Sequence, residues 1–425
     1  MRLLYSLAWI LVLPLAFLHL LWRARKQPQY LRHWPERLGW VPVWNGGPRL
    51  WIHAVSVGET RAAAPLITAW RLRHPEVAIL LTHTTPTGRE TGHALFGGQN
   101  IPDIKQAYLP YDFPPLIRLF LKRARPDIGV IMETELWPNL FAACRNNNIP
   151  LCLVNARLSE RSSRGYARFR WLSEPALKAL TGLAAQTAAD AKRFAELAEI
   201  SIQVTGNLKF DVAAPTDTDQ LASDLRQRFA GRFVWLAAST REGEEAVLLE
   251  VFDRLDLPDL LLVLVPRHPQ RFDEVARLIE ARGLPWGRRS ESLVGDLPST
   301  NMRLFLGDSM GEMAAYYAAA NVAYIGGSLL PFGGQNLIEA AAAGCPALIG
   351  THTWNFSEAA AEAISAGAAI RVADSEALIA NLRLLHEDVH RRKSMAKAGL
   401  LFAERNRGAT ARTLVLLEAA WPISL

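Results

Sequence analysis

Two doubly wound, Rossmann-like α/β halves, joined by a linker and preceded by an apolar N-terminal helix, are the fold these 425 residues predict. Three observations carry the expectation. From residue 49 onward, strand-like runs ending in polar or glycine turns alternate with segments of helical spacing. The alternation breaks at the polar, proline-containing run DVAAPTDTDQ (211–220) and then starts again. Leu3 to Trp22 holds no charged residue, and about 20 apolar residues suffice for the hydrocarbon core of a bilayer.

The N-terminal segment predicts a membrane anchor. Arg23, Arg25 and Lys26 follow the apolar run at once, which keeps that flank and the body behind it in the cytoplasm. Trp9, Trp22, Tyr30 and Trp34 suit an interfacial belt. Only Arg2 precedes the run and no small-x-small site follows it, so an uncleaved anchor is expected rather than a signal peptide. Pro14 leaves open whether the helix spans the bilayer or lies partly in the interface. The formal net charge is +6, yet residues 1–40 hold six basic residues against Glu36 alone, leaving +1 for the other 385. A basic excess beside the most apolar segment points to an anionic membrane surface and away from nucleic acid. Cys144, Cys152 and Cys345 are odd in number and lack CxxC spacing, so neither a disulfide framework nor a structural zinc site is expected.

In the first half RLWIHAVSV (49–57), AILLTHTT (78–85), DIGVIMETE (127–135), PLCLVNAR (150–157) and GLAAQ (182–186) read as strands. In the second half FVWLAAST (233–240), LLLVLVPR (260–267), MRLFLGD (302–308), NVAYIGG (321–327) and CPALIG (345–350) do so. Residues 388–421 read as one or two amphipathic helices. The expected division is an anchor and basic collar at 1–40, a first domain at 41–212, a linker at 213–231, and a second domain at 232–425 that includes the C-terminal helices. Two such halves describe a GT-B architecture, with ligand in the cleft at the carboxyl ends of the strands.

The candidate chemistry sits at those ends. Ser56-Val57-Gly58-Glu59-Thr60 lies where the first strand meets the first helix. Glu59 there is placed either as a general base, kept ionised by the helix dipole, or as a cap of that helix. Thr84 to Gly88 offers hydroxyls for polar recognition, or an ordinary capped helix start. Glu133 and Glu135 share a face if their strand runs that far, as a site or as salt-bridged partners. Lys209, in GNLKFD, suits an anionic donor or is a solvated surface lysine. In the second half, Arg267-His268 ends a very hydrophobic strand, well placed for phosphate. Gly307 to Glu312, Gly326 to Ser328 and Gly333 to Asn336 are glycine-bearing turns, the last opening a helix that carries Glu339. There is no Walker A loop, GxGxxG, HExxH or GxSxG, and no His, Cys and carboxylate cluster with metal-ligand spacing. Asp217-Thr218-Asp219 spells a DxD but lies in the linker rather than at a strand end, so no metal or cofactor is expected.

Taken together, these segments resemble the Kdo (3-deoxy-D-manno-octulosonic acid) transferases of lipopolysaccharide synthesis. The matching strings are SVGET (56–60), TPTG (85–88), YLPYD (108–112), METELWPN (132–139), NARLSERS (155–162) and GNLKFD (206–211). They continue with STREGEE (239–245), LVPRHPQRF (264–272), GDSMGEM (307–313), IGGSL (325–329) and NLIEAAAAG (336–344). The family often has His and Pro where this chain has Gln335 and Leu337.

The resemblance implies inverting, metal-free transfer of Kdo from CMP-Kdo to a lipid A precursor on the cytoplasmic side of the inner membrane. It implies Glu59 as general base, with Glu133 and Lys209 stabilising the transition state. Arg267, His268, Met310, Gly311, Glu312, Asn336, Leu337, Ile338 and Glu339 are the implied CMP site. The implied partners are the donor, a phosphorylated glycolipid acceptor and the membrane. The rivals are another GT-B enzyme, such as a nucleotide-sugar epimerase, separable by CMP against UDP binding, and a non-catalytic membrane-anchored binding protein.

Overall fold

The computed structural model describes residues 2–25, 27–43, 46–97, 104–229, 231–291 and 301–422; Lys26 of the basic flank lies outside them. The chain forms two compact units: Met1–Val212 with Asn406–Leu425, and Ala213–Arg405.

The first unit is built on a parallel seven-stranded sheet: β1 (Arg49–His53), β2 (Ala78–His83), β3 (Ile104–Tyr108), β4 (Ile128–Met132), β5 (Leu151–Ala156), β6 (Gly182–Ala185) and β7 (Ile202–Val204). Their order is β3-β2-β1-β4-β5-β6-β7. In β1, Leu50 and Ile52 join one core cluster, with Leu66, Trp70 and Val130, while Trp51 joins another, with Phe120 and Phe141. A strand covered on both faces needs an unbroken apolar run, which explains its composition. The chain reverses direction across the sheet between β1 and β4, which pair side by side, Ile52 against Val130.

The second unit repeats the plan: β8 (Phe233–Thr240), β9 (Leu260–Pro266), β10 (Trp286–Arg288), β11 (Leu304–Leu306), β12 (Val322–Ile325), β13 (Ala347–Ile349) and β14 (Ala369–Arg371). All pairs are parallel, in the order β10-β11-β9-β8-β12-β13-β14. Its reversal point lies between β8 and β12.

Two expectations about boundaries need correction. The C-terminal helix Ala409–Ala420 belongs to the first unit, not the second: Leu414, Leu416 and Leu417 complete the cluster around Leu50 and Ala63. Asp211 holds its start, accepting from Gly408 N at 2.7 Å and Thr410 N at 2.6 Å. Residues 213–231 are also no bare linker. Thr218–Arg228 is a helix with Ala222 and Leu225 buried, and Arg226 donates to Ala318 O at 2.7 Å. Asp217 is the N-cap residue of that helix, with Asp219 in its first turn.

The N-terminal helix Arg2–Ala24 is long and apolar enough to cross a membrane, with a mean hydropathy of 2.1 over its most apolar stretch.

Candidate active site

In open parallel sheets the crevice beside a reversal point receives ligand, because the loops leaving two adjacent strands diverge there. In the first unit those strands are β1 and β4, and the loops carry Glu59 and Glu133. Ser56 is the N-cap of the helix Val57–Arg73, so Glu59 stands in its first turn. The carboxylate folds back to accept from Val55 N at 2.8 Å and from the Ser56 hydroxyl at 3.2 Å. The capping geometry therefore exists, and it orients a carboxylate that is buried.

Burial pushes the Glu59 carboxyl up from 4.5 to about 8; Glu133 adds to the rise, and the bond from Val55 only partly opposes it. This overturns the expectation that the helix dipole keeps Glu59 ionised. A dipole end contributes about 1 kcal/mol, whereas the displacement corresponds to roughly 5 kcal/mol. The result is a group whose proton affinity lies near neutral pH, the range in which a general base works best.

Glu133 does not continue its strand. β4 stops at Met132, and Glu133 adopts φ +58° while its N–H still bonds Val154 O at 3.0 Å. The two-residue strand period thus fails to align Glu133 with Glu135. A left-handed non-glycine residue costs on the order of 1–3 kcal/mol, and such strain concentrates at functional sites. The turn brings the Glu133 carboxylate to Lys209 Nζ at 2.9 Å, both side chains only partly covered. Lys209 is delivered by the short 3-10 turn Leu208–Asp211, whose N-cap Asn207 accepts from Lys209 N at 3.0 Å. Leu208 N in turn donates to the fully buried Asn155 Oδ1 at 3.0 Å. Three residues far apart in sequence, Glu59, Glu133 and Lys209, are so gathered at the carboxyl end of the sheet. Burial, with Glu133 adding to it, also raises the Glu135 carboxyl.

The Thr84 to Gly88 segment turns out to be structural support. The Thr85 hydroxyl accepts from Gly88 N at 3.1 Å and donates to Val55 O at 3.0 Å, tying the β2 loop to the β1 loop. A Cβ at Gly88 would lie 3.1 Å from Val55 O, a tight contact that larger residues would have to relieve by a small shift.

In the second unit the predicted residues again lie after the strands. Arg267 follows β9, its N–H on Thr240 O at 3.0 Å. Burial, then Arg241, Arg267 and Arg271, lower the affinity of His268 for a proton. Of these cations, Arg271 is paired with Glu245 and Glu274. Gly311, at φ +87°, turns the loop after β11, and Met310 is exposed. Glu312 is already engaged, by Arg289 through two bonds of 2.9 Å and by Ser309 at 2.5 Å. Asn336 Nδ2 donates to Glu339 at 2.9 Å, and Asn336 Oδ1 accepts from Ile338 N at 3.1 Å. The side chains of Leu337 and Ile338 are both buried.

Sequence reasoning gave no role to Glu244. It is fully buried at the β8–β12 reversal point and accepts from Arg241 N at 2.9 Å, Gly327 N at 2.6 Å and Tyr324 Oη at 2.5 Å. It locks the loops after β8 and β12 together. Adjacent Glu245, also buried, accepts from Thr240 Oγ1 at 2.7 Å and pairs with Arg271 at 2.6 Å. The signal was the string STREGEE, three glutamates just after a strand, the last two adjacent. A Cβ at Gly326 would fall 2.4 Å from Ser239 O, which accounts for glycine where the two loops meet. Among the described residues no group of three or more His, Cys, Asp or Glu is placed to hold a metal.

Residues 32–212 match the sequence profile of the family described as 3-deoxy-D-manno-octulosonic-acid transferase (kdotransferase). A 3-deoxy-D-manno-octulosonic acid transferase of Bordetella pertussis is 44% identical over 97% of this chain and 98% of its own. That of Haemophilus influenzae is 35% identical over 92% of each. In fold, the chain resembles the UDP-GlcNAc 2-epimerase of Neisseria meningitidis, with a TM-score of 0.59 and 15% identity over 87% of this chain and all of that one.

Proposed function

The chain belongs to the 3-deoxy-D-manno-octulosonic-acid (Kdo) transferase family and is a glycosyltransferase; from that premise we propose that it moves Kdo from CMP-Kdo to a lipid A precursor at a membrane surface. The observation that carries the reading is the first-unit constellation: Glu59 with its proton affinity near neutral pH, beside Glu133 paired to Lys209.

In this mechanism Glu59 accepts the proton of the acceptor hydroxyl as that oxygen attacks the anomeric carbon of Kdo. The bond from the anomeric carbon to the phosphate oxygen breaks, and CMP leaves with the electron pair. Attack from the face opposite the leaving group inverts the anomeric centre. Glu133 and Lys209 stabilise the transition state, and the carboxylate of Kdo gives Lys209 an anionic partner. Arg267, His268, the 310–312 loop and Asn336 to Glu339 hold CMP, with Leu337 and Ile338 contributing backbone only. Fixed cations and backbone N–H groups stabilise a phosphate leaving group without a metal. The N-terminal helix and the basic residues after it keep the enzyme on the cytoplasmic face of the inner membrane, where a phosphorylated glycolipid acceptor resides.

The test is mass spectrometry of products after incubation with CMP-Kdo and a tetraacylated lipid A precursor. A lipid product heavier by Kdo, with stoichiometric CMP, is expected. Binding of UDP in place of CMP, or hydrolysis of CMP-Kdo with no lipid product, would refute the reading.

A further inference from the structure

The N-terminal helix touches the first unit at several points along one side. Tyr5, Ser6, Trp9 and Phe17, half-buried, and Leu20 and Ala24, buried, form a stripe of helical spacing, while Leu3, Leu7, Leu11, Leu15, Leu18 and Trp22 are exposed. At one end the Ser6 hydroxyl donates to Asn139 Oδ1 at 2.9 Å, and the Arg2 charge acts on the buried Asp112 carboxylate. In the middle, Trp9 and Phe17 pack on Tyr111 with ring centroids 6.0 and 5.8 Å apart. At the other end Leu20 and Ala24 cluster with Tyr30, and Phe17 meets Trp34 edge to face at 5.8 Å.

From Tyr5 to Ala24 a helix rises about 28 Å, close to the thickness of a bilayer's hydrocarbon core. If it crossed the membrane with these contacts intact, Asp112 and Asn139 would travel with it to the far leaflet. Those two are not expendable. The Asp112 carboxylate accepts from Asn139 N at 3.0 Å and Leu140 N at 2.8 Å, holding the start of the helix Pro138–Asn146. Carrying such a polar cluster through hydrocarbon is costly, whereas a helix lying in the interface leaves the cluster outside it.

We infer that this helix lies in the plane of the membrane as a monotopic anchor, its leucine face immersed in one leaflet of anionic phospholipid and its Tyr5–Ala24 stripe clasping the enzyme. The inference rests on the membrane attachment proposed above and deepens it. Arg2 and Arg25, at the two ends, are exposed and therefore sit at the same lipid surface, matched to its negative charge. A spanning helix would put them on opposite sides. The clasped helix Pro138–Asn146 starts directly after the Glu133 to Trp137 loop, so the anchor also sets the site loop close to the lipid headgroups.

The experiment uses full-length Arg2→Cys and Arg25→Cys variants and a membrane-impermeant maleimide, since the three native cysteines are buried. Both should label in inside-out vesicles and neither in intact spheroplasts. Labelling of Arg2→Cys in spheroplasts with Arg25→Cys accessible only in inside-out vesicles would overturn the in-plane arrangement while leaving membrane attachment standing. Recovery of the protein in the soluble fraction would sink the attachment itself. An N-terminal tag digested by protease added to inside-out vesicles, and protected in spheroplasts, gives the same answer without altering either arginine.

Discussion

Glu59→Gln tests the proposed base by its pH dependence as well as by its rate. The wild-type carboxyl holds its proton to about pH 8, because it is buried and faces the charge of Glu133. At pH 7 about one molecule in ten is then ionised, and kcat/KM should climb roughly tenfold per pH unit from about pH 6 before levelling near 8. Glu59→Gln keeps the shape and removes the basicity. It should lose on the order of a hundredfold to ten-thousandfold in rate at pH 8.5, and the climb should vanish. Glu133→Gln removes one of the causes of the raised affinity, so its climb should shift to lower pH. Stability supplies a second readout. A carboxyl whose folded affinity lies above its unfolded value contributes fully below about pH 4.5, and that contribution fades as pH rises through about 8. The folded state therefore strains against an ionised Glu59 at alkaline pH, by at most roughly 5 kcal/mol. The Tm of Glu59→Gln relative to wild type should rise between pH 5 and pH 9. The assay is Kdo transfer with preformed CMP-Kdo across pH 6–9, beside calorimetric melting of both proteins. Near-normal turnover by Glu59→Gln at pH 8.5, or an unchanged pH climb, would remove Glu59 as base. Equal loss of Tm at every pH, with CMP binding lost too, would reduce Glu59 to the cap its bonds to Val55 and Ser56 also describe.

Lys209→Met breaks the 2.9 Å pair with Glu133 and should cut turnover by on the order of a hundredfold while CMP affinity, measured by calorimetry, stays within a few-fold. Glu244→Ala strands Arg241 N, Gly327 N and the Tyr324 hydroxyl in a buried place, so a cost of about 3 kcal/mol or more and a matching fall in Tm and in CMP affinity are expected; an unchanged Tm would contradict the locking role. Transfer from preformed CMP-Kdo should survive EDTA, and loss of the transfer step restored by Mg²⁺ would return attention to Asp217-Thr218-Asp219. Deleting residues 1–25 should release the protein from membranes yet preserve transfer to a detergent-solubilised acceptor, with some loss of Tm because Tyr111 and Asn139 are uncovered; a folded, fully inactive truncation would show that the helix does more than anchor.

The interior of both sheets was legible in the residues themselves. The ten strands recognised by composition are the ten that have a neighbour on each side, and burial on both faces demands unbroken apolar runs there. The four that composition missed, β3, β7, β10 and β14, are the sheet edges. An edge strand such as Ile104–Tyr108 carries Lys105 and Gln106 and leaves no such run. The glycine-bearing turns and the carboxylates at strand ends were legible for the same local reason, and shared motifs supplied the family and the sugar.

Tertiary structure alone decided what depends on distant partners. Sequence spacing cannot tell that Glu59 is buried beside Glu133, and that burial reverses its expected ionisation. It cannot foresee the positive φ at Glu133, which trades strand alignment for a bond to Lys209, 76 residues away. The same holds for the C-terminal helix, drawn to the first unit by Asp211 and by an apolar gap that Leu414 and Leu417 fill. Hydropathy marked the N-terminal helix as a membrane segment. The stripe it turns to Tyr111 and Asn139 is what the proposed in-plane placement rests on, because a single apolar helix fits both lying on a bilayer and crossing it.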